Sequence, residues 1–353
     1  MKKYLFILLI LCFGCETEIK NFKISNPGDN LVVYGELTTA NGPYQVQITH
    51  VSSYAPYDVR AFVGEPETDA AVSILDNLGN ETFLGEYKPG VYSTDMLFKA
   101  NVGVAYKLKI KTTDGKTFES DFQVLTASPI LKDFSETFYN AEKVEDMRFE
   151  VKASIQDPAD TENYYFVRKQ DYIGFLTTCQ DPPPPPAVPP PCYIKCWSAP
   201  LNTQPILLKD FLVNGNDLPL ALEDIKADEI TDYVVQLDVL NISKEVFNYW
   251  ERQEEQRTIG GGLFDKVPAQ IIGNLYCTSD PSEQILGVFV VAGITKQRLT
   301  IDRFKTYDFE TYQKVQNYVD FNNIRRKDLK LNNCWQAGWI NYNLGLEIPE
   351  LKP

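Results

Sequence analysis

The stretch YKLKIKTTDGKTFES, residues 106–120, decides the fold class of this chain of 353 residues. Its apolar residues Tyr106, Leu108 and Ile110 alternate with lysines, and this period of two places one face of a β-strand on a core and the other in water. An Asp-Gly pair at positions 114–115 then separates two alternating runs, which is a strong signal for a tight hairpin. The stretch therefore predicts a half-buried antiparallel hairpin.

The same alternation occurs on the N-terminal side of this hairpin. Val46 and Ile48 alternate with polar residues, and turn signals follow at residues 77–80 and 89–90. Short strands separated by regular turns, with no helical stretch between them, are typical of a β-sandwich of about 100 residues. We therefore predict a β-sandwich over residues 30–127.

A second β-rich domain is predicted for residues 128–353. Alternating runs cover residues 149–155 and 233–239. Two short helices are predicted over residues 243–256, where a serine can cap the N-terminus, and over residues 308–320, each with an apolar stripe. The predicted fold class is thus mainly β, with an N-terminal sandwich followed by a β-rich domain that carries two short helices.

A run with eight prolines in ten residues lies at residues 182–191. Such a run adopts an extended polyproline II conformation without internal hydrogen bonds, so it cannot enter a sheet and must project as a loop. We interpret it as a stiff insertion in the second domain. The alternative is a docking strip for the aromatic grooves of a partner.

Residues 1–14 have the pattern of a bacterial lipoprotein signal peptide. Two lysines precede a ten-residue apolar run, which is shorter than the stretch of about 20 residues that crosses a bilayer as a helix, and Gly14 is the small residue before the cut. We predict cleavage before Cys15, acylation of this cysteine and a tether over residues 15–29. An ordinary secretory signal is the alternative, because Cys12 stands where lipoprotein signals usually carry Leu.

The charge of the chain favours attachment through acyl chains. The 48 acidic residues outnumber the 34 basic ones, so the net charge is −14. A negative surface argues against a nucleic-acid partner and against a basic patch that binds anionic lipid. Membrane attachment is therefore expected through the acyl chains alone, at about 0.8 kcal/mol per buried CH₂ group.

Five cysteines remain in the predicted folded part. An exported chain meets oxidising conditions, so we expect structural disulfides among them, with at least one thiol left over because five is odd. The CxxxC spacing in this set lacks the further Cys or His residues of a zinc site, and no metal is predicted. The candidate disulfide residues are Cys179, Cys192, Cys196, Cys277 and Cys334.

The sequence shows no catalytic constellation. His50 is the only histidine, and it ends a predicted strand on the same face as Ile48, which is typical of a half-buried packing residue. No GxSxG, HExxH, P-loop or GxGxxG pattern occurs. We therefore predict no catalytic residue and no cofactor, and a protein that is not an enzyme. A hydrolase with an unrecognised pair of carboxylates is the remaining alternative.

Asp157, Asp160 and Glu162 follow one another closely after a predicted strand. Their carboxylates supply the oxygen ligands that Ca²⁺ prefers. An Asp-Pro pair followed by small polar residues is also typical of a solvated turn, and this is the interpretation that we adopt.

Six segments carry a family resemblance through their order and spacing. They are LVVYGELTTANGPYQVQITHVSSY (31–54), DAAVSILDNLGN (69–80), GVYSTD (90–95), YKLKIKTTDGKTFES (106–120), ISKEVFNYWERQ (242–253) and LFDKVPAQIIGNLYCTSDPSEQILGVF (263–289). Together they resemble the envelope lipoproteins of Bacteroidota grouped as domain of unknown function 4249.

The resemblance implies a lipoprotein with an immunoglobulin-like N-terminal sandwich and a cysteine-containing C-terminal end. Cys277 in GNLYC and Cys334 in NNCW are the family-like positions. Members of the family are often encoded near TonB-dependent outer-membrane transporters. Glu16 and Glu18, close after Cys15, resemble the acidic signal that sends lipoproteins of such bacteria to the cell surface. An anchor in the inner leaflet of the outer membrane is the alternative.

The expected function follows from the anchor and from this resemblance. We expect a lipid-anchored protein of the outer membrane, exposed on the cell surface, that acts as a non-catalytic accessory or binding subunit beside a TonB-dependent β-barrel transporter. The alternative is a structural, adhesin-like or envelope-assembly lipoprotein whose partners are other envelope proteins.

Overall fold

The structure is a computed structural model, and it describes most of the chain between residues 30 and 325. The described ranges are 30–51, 64–159, 161–178, 193–200, 204–211, 215–257, 271–325 and 340–341. The predicted signal peptide and tether over residues 1–29 and the polyproline run over residues 182–191 lie outside them.

Strands account for most of the described elements. Before residue 128 they are β1 (Leu31–Thr38), β2 (Gln45–His50), β3 (Ala71–Asp76), β4 (Glu81–Lys88), β5 (Val91–Ser93), β6 (Ala105–Lys111), β7 (Thr117–Ser120) and β8 (Gln123–Val124). After it they are β9 (Ile130–Tyr139), β10 (Arg148–Gln156), β11 (Tyr164–Thr178), β12 (Tyr193–Ser198), β13 (Ile206–Lys209), β14 (Asp217–Pro219), β15 (Ile225–Lys226), β16 (Tyr233–Ile242), β17 (Leu275–Cys277), β18 (Ile285–Ile301) and β19 (Ile340–Asn341). The described helices are α1 (Lys244–Arg257), α2 (Arg303–Thr306) and α3 (Phe309–Arg325).

The described strands form two sheets. The larger has 15 strands in the order β17-β7-β6-β3-β4-β5-β2-β1-β18-β16-β11-β12-β19, with β8 paired to β6 and β13 paired to β11. The smaller has four strands in the order β14-β10-β15, with β9 also paired to β10. The predictions of a mainly β chain, of a sandwich-like N-terminal part and of short helices are confirmed.

The hairpin predicted from residues 106–120 is present as β6 and β7. The two strands pair antiparallel with Lys109 opposite Glu119. Tyr106, Leu108 and Ile110 are buried, whereas the lysines between them keep contact with water, because alternate side chains point to opposite faces of the strand. The buried faces of β1 to β7 enclose one core, to which β17 and β18 also contribute.

β18 joins the two halves of the larger sheet. Its first part pairs in parallel with β1, from Ile285 opposite Leu31 to Ala292 opposite Thr38. Its second part pairs antiparallel with β16, starting with Gly293 opposite Asn241. Strands from both sides of residue 128 therefore pair with the same strand, β18. The predicted division of the chain into two domains at residue 128 stays a prediction.

Gly293 marks the point on β18 where the partner strand changes. A Cβ atom at this position would lie 2.1 Å from the carbonyl oxygen of Ala127, which is far inside van der Waals contact. The segment before β9 can therefore approach β18 only because residue 293 has no side chain.

The second half of the sheet is covered on both faces. The small sheet and α3 pack on the face that carries Val235, Leu237 and Val239. Helix α1 packs on the opposite face, where Leu240 and Val290 belong to the core under the helix. Strands buried on both faces have near-continuous apolar sequences instead of an alternating pattern.

The predicted helices correspond to α1 and α3, and the four-residue α2 is an addition. The amide of Val246 donates to the Ser243 hydroxyl at 3.3 Å, as expected for the predicted N-terminal cap of α1. α3 extends five residues past its predicted end, to Arg325. None of the helices in the described ranges is both long and apolar enough to cross a membrane.

Candidate functional site

A cleft of about 430 Å³ lies on the α1 side of the larger sheet. It is bounded by β1, by the turn between β1 and β2, and by side chains of β11 and β18. Four polar side chains of its lining interact with one another or with a shared neighbour: Tyr34, Glu36, Arg168 and Lys296.

The strand register aligns charges of alternating sign beside this cleft. Arg168 on β11 is directly opposite Asp238 on β16, and Asp238 is directly opposite Lys296 on β18. A carboxylate oxygen of Asp238 lies 3.6 Å from Arg168 Nη2 and 3.4 Å from Lys296 Nζ. Opposite charges on directly paired strand residues stabilise the pairing.

Glu36 connects this row of charges to β1. Arg168 Nη1 donates to Glu36 Oε1 at 2.5 Å, and Arg168 Nη2 donates to Glu36 Oε2 at 3.2 Å. The Tyr34 hydroxyl donates to the same Oε1 atom. A two-pronged guanidinium–carboxylate pair of this kind is stronger and more directional than a single surface contact.

The tyrosine of this network stays protonated. Burial, and after it the Glu36 carboxylate, raise the pKa of Tyr34 far above its ordinary value. A phenol with a raised pKa is a hydrogen-bond donor and not a base at neutral pH. Together with the balanced charges of Glu36, Asp238, Arg168 and Lys296, this makes the cleft suited to binding by hydrogen bonds.

An aromatic cluster borders the cleft on the side of α1. The ring of Trp250 lies 4.9 Å from that of Phe166 and 6.4 Å from that of Tyr34, the latter edge to face. Since Trp250 is on α1, Phe166 on β11 and Tyr34 on β1, the cluster holds three elements together beside the polar row.

A second cavity, of about 290 Å³, lies on the opposite face of the sheet. Arg303 lines it although the residue is almost fully buried. Its guanidinium donates to the carbonyl oxygens of Thr231 at 3.2 Å and Lys226 at 2.7 Å, and lies over the ring of Tyr233. These contacts tie α2 to the segment between β15 and β16, so we assign Arg303 a structural role.

The predicted lipidation and disulfide residues lie largely outside the described ranges. This holds for Cys15, Cys179, Cys192 and Cys334. Cys196 is on β12, and its side chain is not among those described. The candidate disulfides of these residues therefore stay predictions.

Cys277 is the predicted disulfide residue whose side chain the structure describes. It lies buried on β17 without a disulfide partner among the described residues, and its Sγ lies 3.3 Å from the Ser279 hydroxyl. Its place opposite Phe118 of β7 makes it part of the first core. A buried free cysteine packs as a small apolar residue.

His50 ends β2, as the sequence predicts, and is half-buried. Its Nε2 lies 2.8 Å from Glu67 Oε2, so the imidazole pairs with a carboxylate at the edge of the sandwich. This pair lies at the end of β1 that holds Leu31, away from the cleft.

The acidic cluster predicted to be a solvated turn differs from that prediction at Asp157. Asp157 is buried, and it accepts hydrogen bonds from the Tyr165 hydroxyl at 2.8 Å and from the Gly215 amide at 2.9 Å. Asp160 lies outside the described residues. In the described part of the chain, no group of three or more His, Cys, Asp or Glu side chains is placed to hold a metal.

Sequence reasoning missed the residues that build the cleft. Glu36 and Arg168 are 132 positions apart, and Asp238 and Lys296 come from two further strands. One signal was present for Glu36 and Asp238: each is the one charged residue of its strand, where a buried charge needs a partner.

Comparisons with known proteins identify the family of this chain. The sequence model of a family described as "Domain of unknown function (DUF4249)" matches residues 17–298. No curated protein matches the chain.

Two of the similar solved structures are distant. One is the tetra-tandem repeat in the extending region of a large adhesion protein, with 12% identity over 78% of this chain and 49% of that chain, at a TM-score of 0.16. The other is a protein described as membrane anchored, from Corynebacterium diphtheriae, with 13% identity over 73% of this chain and 60% of that chain, at a TM-score of 0.18. The chain thus spans about half of the first protein and 60% of the second.

Proposed function

The chain belongs to the family described as domain of unknown function DUF4249, and on this premise we propose that it is a lipoprotein that acts by contact. In this proposal it is anchored in the outer membrane of a member of the Bacteroidota, exposed on the cell surface, and non-catalytic. It works as an accessory or binding subunit beside a TonB-dependent transporter.

The observation that supports the proposal is the place of the cleft on β1, the strand that the predicted tether would precede. The tether would enter β1 at Leu31, which pairs with His50 at one end of the sandwich. The cleft is lined by β1 from Tyr34 to Thr38 and by the turn that follows it, and it extends to Lys88 and Val91 beside the turn between β4 and β5. An acyl anchor on Cys15 would therefore leave the part of the cleft around Thr38 and the turn after β1 farther from the membrane than the Leu31 end of the strand.

A group of exposed apolar side chains at the same far end supports a protein partner. Ile48 N donates to Gly90 O at 2.8 Å, which places the turn between β4 and β5 near the tether. β4 therefore begins at the far end, and the loops and strand β8 there expose five large apolar residues, which we call the distal apolar patch: Leu78, Met96, Leu97, Val102 and Val124. Exposed apolar patches on soluble domains mark interaction sites.

The charges of the cleft support binding rather than catalysis. Arg168 and Lys296 are engaged by Glu36 and Asp238, and Tyr34 stays protonated. A catalytic base or nucleophile needs a group that is free to exchange a proton near neutral pH. The cleft instead offers fixed donors and acceptors, which suits the recognition of a ligand or of a partner's loop.

The proposal is tested by crosslinking in intact cells, followed by purification from membranes in mild detergent. A TonB-dependent barrel should copurify with the wild-type protein. Leu97→Asp places a charge in the distal apolar patch at a residue that is 87% exposed, so it should reduce the crosslinked barrel without unfolding the protein. Tyr87→Asp, at a residue 73% exposed on β4, is the matched control and should leave the barrel bound.

Two outcomes would contradict the proposal. A wild-type protein that is recovered alone after crosslinking has no barrel partner. The structural alternative would be favoured if deletion of the gene impaired adhesion or envelope assembly and left growth on every nutrient unchanged.

A further inference from the structure

The cavity of about 290 Å³ on the face opposite α1 plays no part in the proposed function. It is lined by β11, by the segment over residues 223–229, by Tyr233 of β16 and by Arg303 of α2. Its volume lies at the lower end of the range for ligand pockets, and it equals the volume of about ten water molecules. A ligand of this cavity would therefore be a small molecule, about the size of one amino acid.

The strand register brings two charged side chains to the same tyrosine in this cavity. Ile173 on β11 is directly opposite Tyr233 on β16. Asp171 precedes Ile173 by two residues and points to the same face, so it is a diagonal neighbour of Tyr233, within reach of an aromatic side chain. The Arg303 guanidinium lies 5.5 Å from the centre of the Tyr233 ring. An acidic and a basic group thus line the cavity beside one ring.

Each of these two groups has a buried atom without a partner. Asp171 is 9% exposed and Arg303 is 1% exposed. Asp171 Oδ2 accepts from Lys169 Nζ at 2.6 Å, whereas Asp171 Oδ1 accepts no hydrogen bond within the described residues. Arg303 donates to two backbone carbonyls through Nη1 and Nη2, whereas its Nε has no acceptor among those residues. Since unpaired buried polar atoms are strongly unfavourable, the cavity suits a ligand with a donor and an acceptor close together.

The lining of the cavity also has a surplus of negative charge. It contains five carboxylates and three basic side chains, and one of these carboxylates, Asp224, pairs with Arg148 from outside the lining at 2.9 Å. One negative charge is left over in this set. Glu223 is exposed and Asp228 is half-buried, so the lining has an acidic rim that solvent reaches. A ligand with one net positive charge complements this lining.

We propose that this cavity binds a free basic amino acid of the type of L-arginine or L-lysine. Its α-ammonium group donates to Asp171 Oδ1, and its α-carboxylate accepts from Arg303 Nε. Its cationic side chain extends to the acidic rim at Glu223 and Asp228. Hydrogen bonds between charged groups are stronger than those between neutral groups, and the net charge of such a ligand equals the surplus of the lining.

The competing explanation is a cavity that holds only water. Ordered water can donate to Asp171 Oδ1 and accept from Arg303 Nε, and the two side chains would then serve the fold alone. In that case the protein has no affinity for a basic amino acid. Binding measurements on the purified protein therefore separate the two explanations, and they do not depend on a membrane anchor or on a transporter.

The test is isothermal titration calorimetry of the full-length protein with L-arginine, L-lysine and three analogues of L-arginine. Agmatine lacks the α-carboxylate, Nα-acetyl-L-arginine lacks the α-ammonium group, and L-citrulline lacks the charge of the side chain. We expect both amino acids to bind and each analogue to bind at least about tenfold more weakly than L-arginine, because each leaves one group of the cavity without its partner.

Two variants test the same contacts from the side of the protein. Glu223→Gln changes an exposed residue, so it should fold; we expect it to weaken the binding of L-arginine and to leave that of L-citrulline unchanged. Asp171→Asn keeps the shape of the side chain, and it should weaken L-arginine at least about tenfold while agmatine, which has no α-carboxylate, stays weak. Glu245→Gln is the matched control, because Glu245 is exposed on α1, which covers the opposite face of the sheet.

Three results would overturn the proposal. If neither L-arginine nor L-lysine gives a heat of binding at millimolar concentration, the cavity holds only water. If agmatine and L-citrulline bind as tightly as L-arginine, the cavity does not recognise an amino acid. If Glu223→Gln and Glu245→Gln have equal effects on the affinity for L-arginine, the ligand binds elsewhere on the chain.

Discussion

At Gly293, the absence of a side chain permits β18 to change its partner strand within the larger sheet. The Cβ of any other residue would lie within 2.1 Å of the Ala127 carbonyl oxygen. The segment that leads out of the sandwich would then have to move away from β18. The energetic cost of a side chain at residue 293 is therefore steric. It arises from contact with backbone atoms, which cannot rotate out of the way.

We predict that Gly293→Ala destabilises the protein by at least about 2 kcal/mol, as expected for an overpacked site. The measurement is the midpoint of urea unfolding followed by circular dichroism. Gly85→Ala is the control, because a Cβ at Gly85 meets nothing within 4 Å. It should change the free energy of unfolding by less than about 0.5 kcal/mol. Equal effects of the two substitutions would contradict the prediction.

For single residues, the sequence predicted which side chains are buried better than it predicted which side chains they contact. Tyr106, Leu108 and Ile110 are buried as their alternation implies. The contact between Glu36 and Arg168 was not predictable, because it depends on β11 and β1 being brought together through β16 and β18. Asp157 was assigned to a solvated turn, since nothing local shows that Gly215 and Tyr165 donate to it.

Among the elements, β18 was the most difficult to predict. It has 17 residues, and its first ten are almost all apolar because both of its faces are covered. A strand buried on both faces has no period of two, so the signal that found β6 is missing from it. Its parallel pairing with β1 joins residues about 250 positions apart, which no local pattern reveals.

The ion pair between β1 and β11 gives a prediction at the scale of elements. In a double-mutant cycle with Glu36→Gln and Arg168→Met, we expect a coupling free energy of at least about 1 kcal/mol, because the pair is two-pronged and partly buried. The measurement is urea unfolding of the four proteins. The control cycle uses Lys209 and Glu251, an exposed pair 3.2 Å apart that should couple by less than about 0.5 kcal/mol. Similar coupling free energies in both cycles would contradict the prediction that partial burial strengthens the Glu36–Arg168 ion pair.

At the scale of the whole molecule, the shared strand β18 determines what can fold alone. The predicted sandwich over residues 30–127 includes β1 but neither β17 nor β18, which supply Leu275, Phe289 and Val291 to its core. A fragment of these residues would expose that core and the whole edge of β1. The division at residue 128 is therefore open to a direct test.

We predict that residues 30–127 expressed alone do not fold cooperatively. Circular dichroism should show no sharp thermal transition, and the fragment should aggregate through the free edge of β1. The full-length protein, measured under the same conditions, is the control. A fragment that melts in one sharp transition would instead establish residues 30–127 as an independent domain.

The pH dependence of stability also belongs to the whole molecule. Burial raises the pKa of several tyrosines, which lie at the cleft or in the two cores that cover the second half of the larger sheet. They are therefore protonated in the folded state where the unfolded chain would release the proton. They are Tyr34, Tyr165, Tyr233, Tyr249 and Tyr307.

The sign of the effect follows from proton linkage. A group with a raised folded-state pKa contributes stability below its unfolded-state pKa, about 10 for tyrosine, and loses it as the pH rises further. We predict that the free energy of unfolding falls steeply above about pH 10. Ultraviolet absorbance of phenolate should appear together with the loss of structure. Full ionisation of all tyrosines in a still folded protein would contradict this.

The parallel pairing of β1 with β18 has a mechanical consequence for a protein held by its N-terminus. A pull on the tether would act along β1 from Leu31, while β18 leads the chain towards the opposite end of the sheet. The two strands would be loaded in shear, so that the hydrogen bonds of eight paired residues resist together instead of opening one by one. An attachment at the N-terminus, as proposed, would thus load the pairing of β1 with β18 in shear.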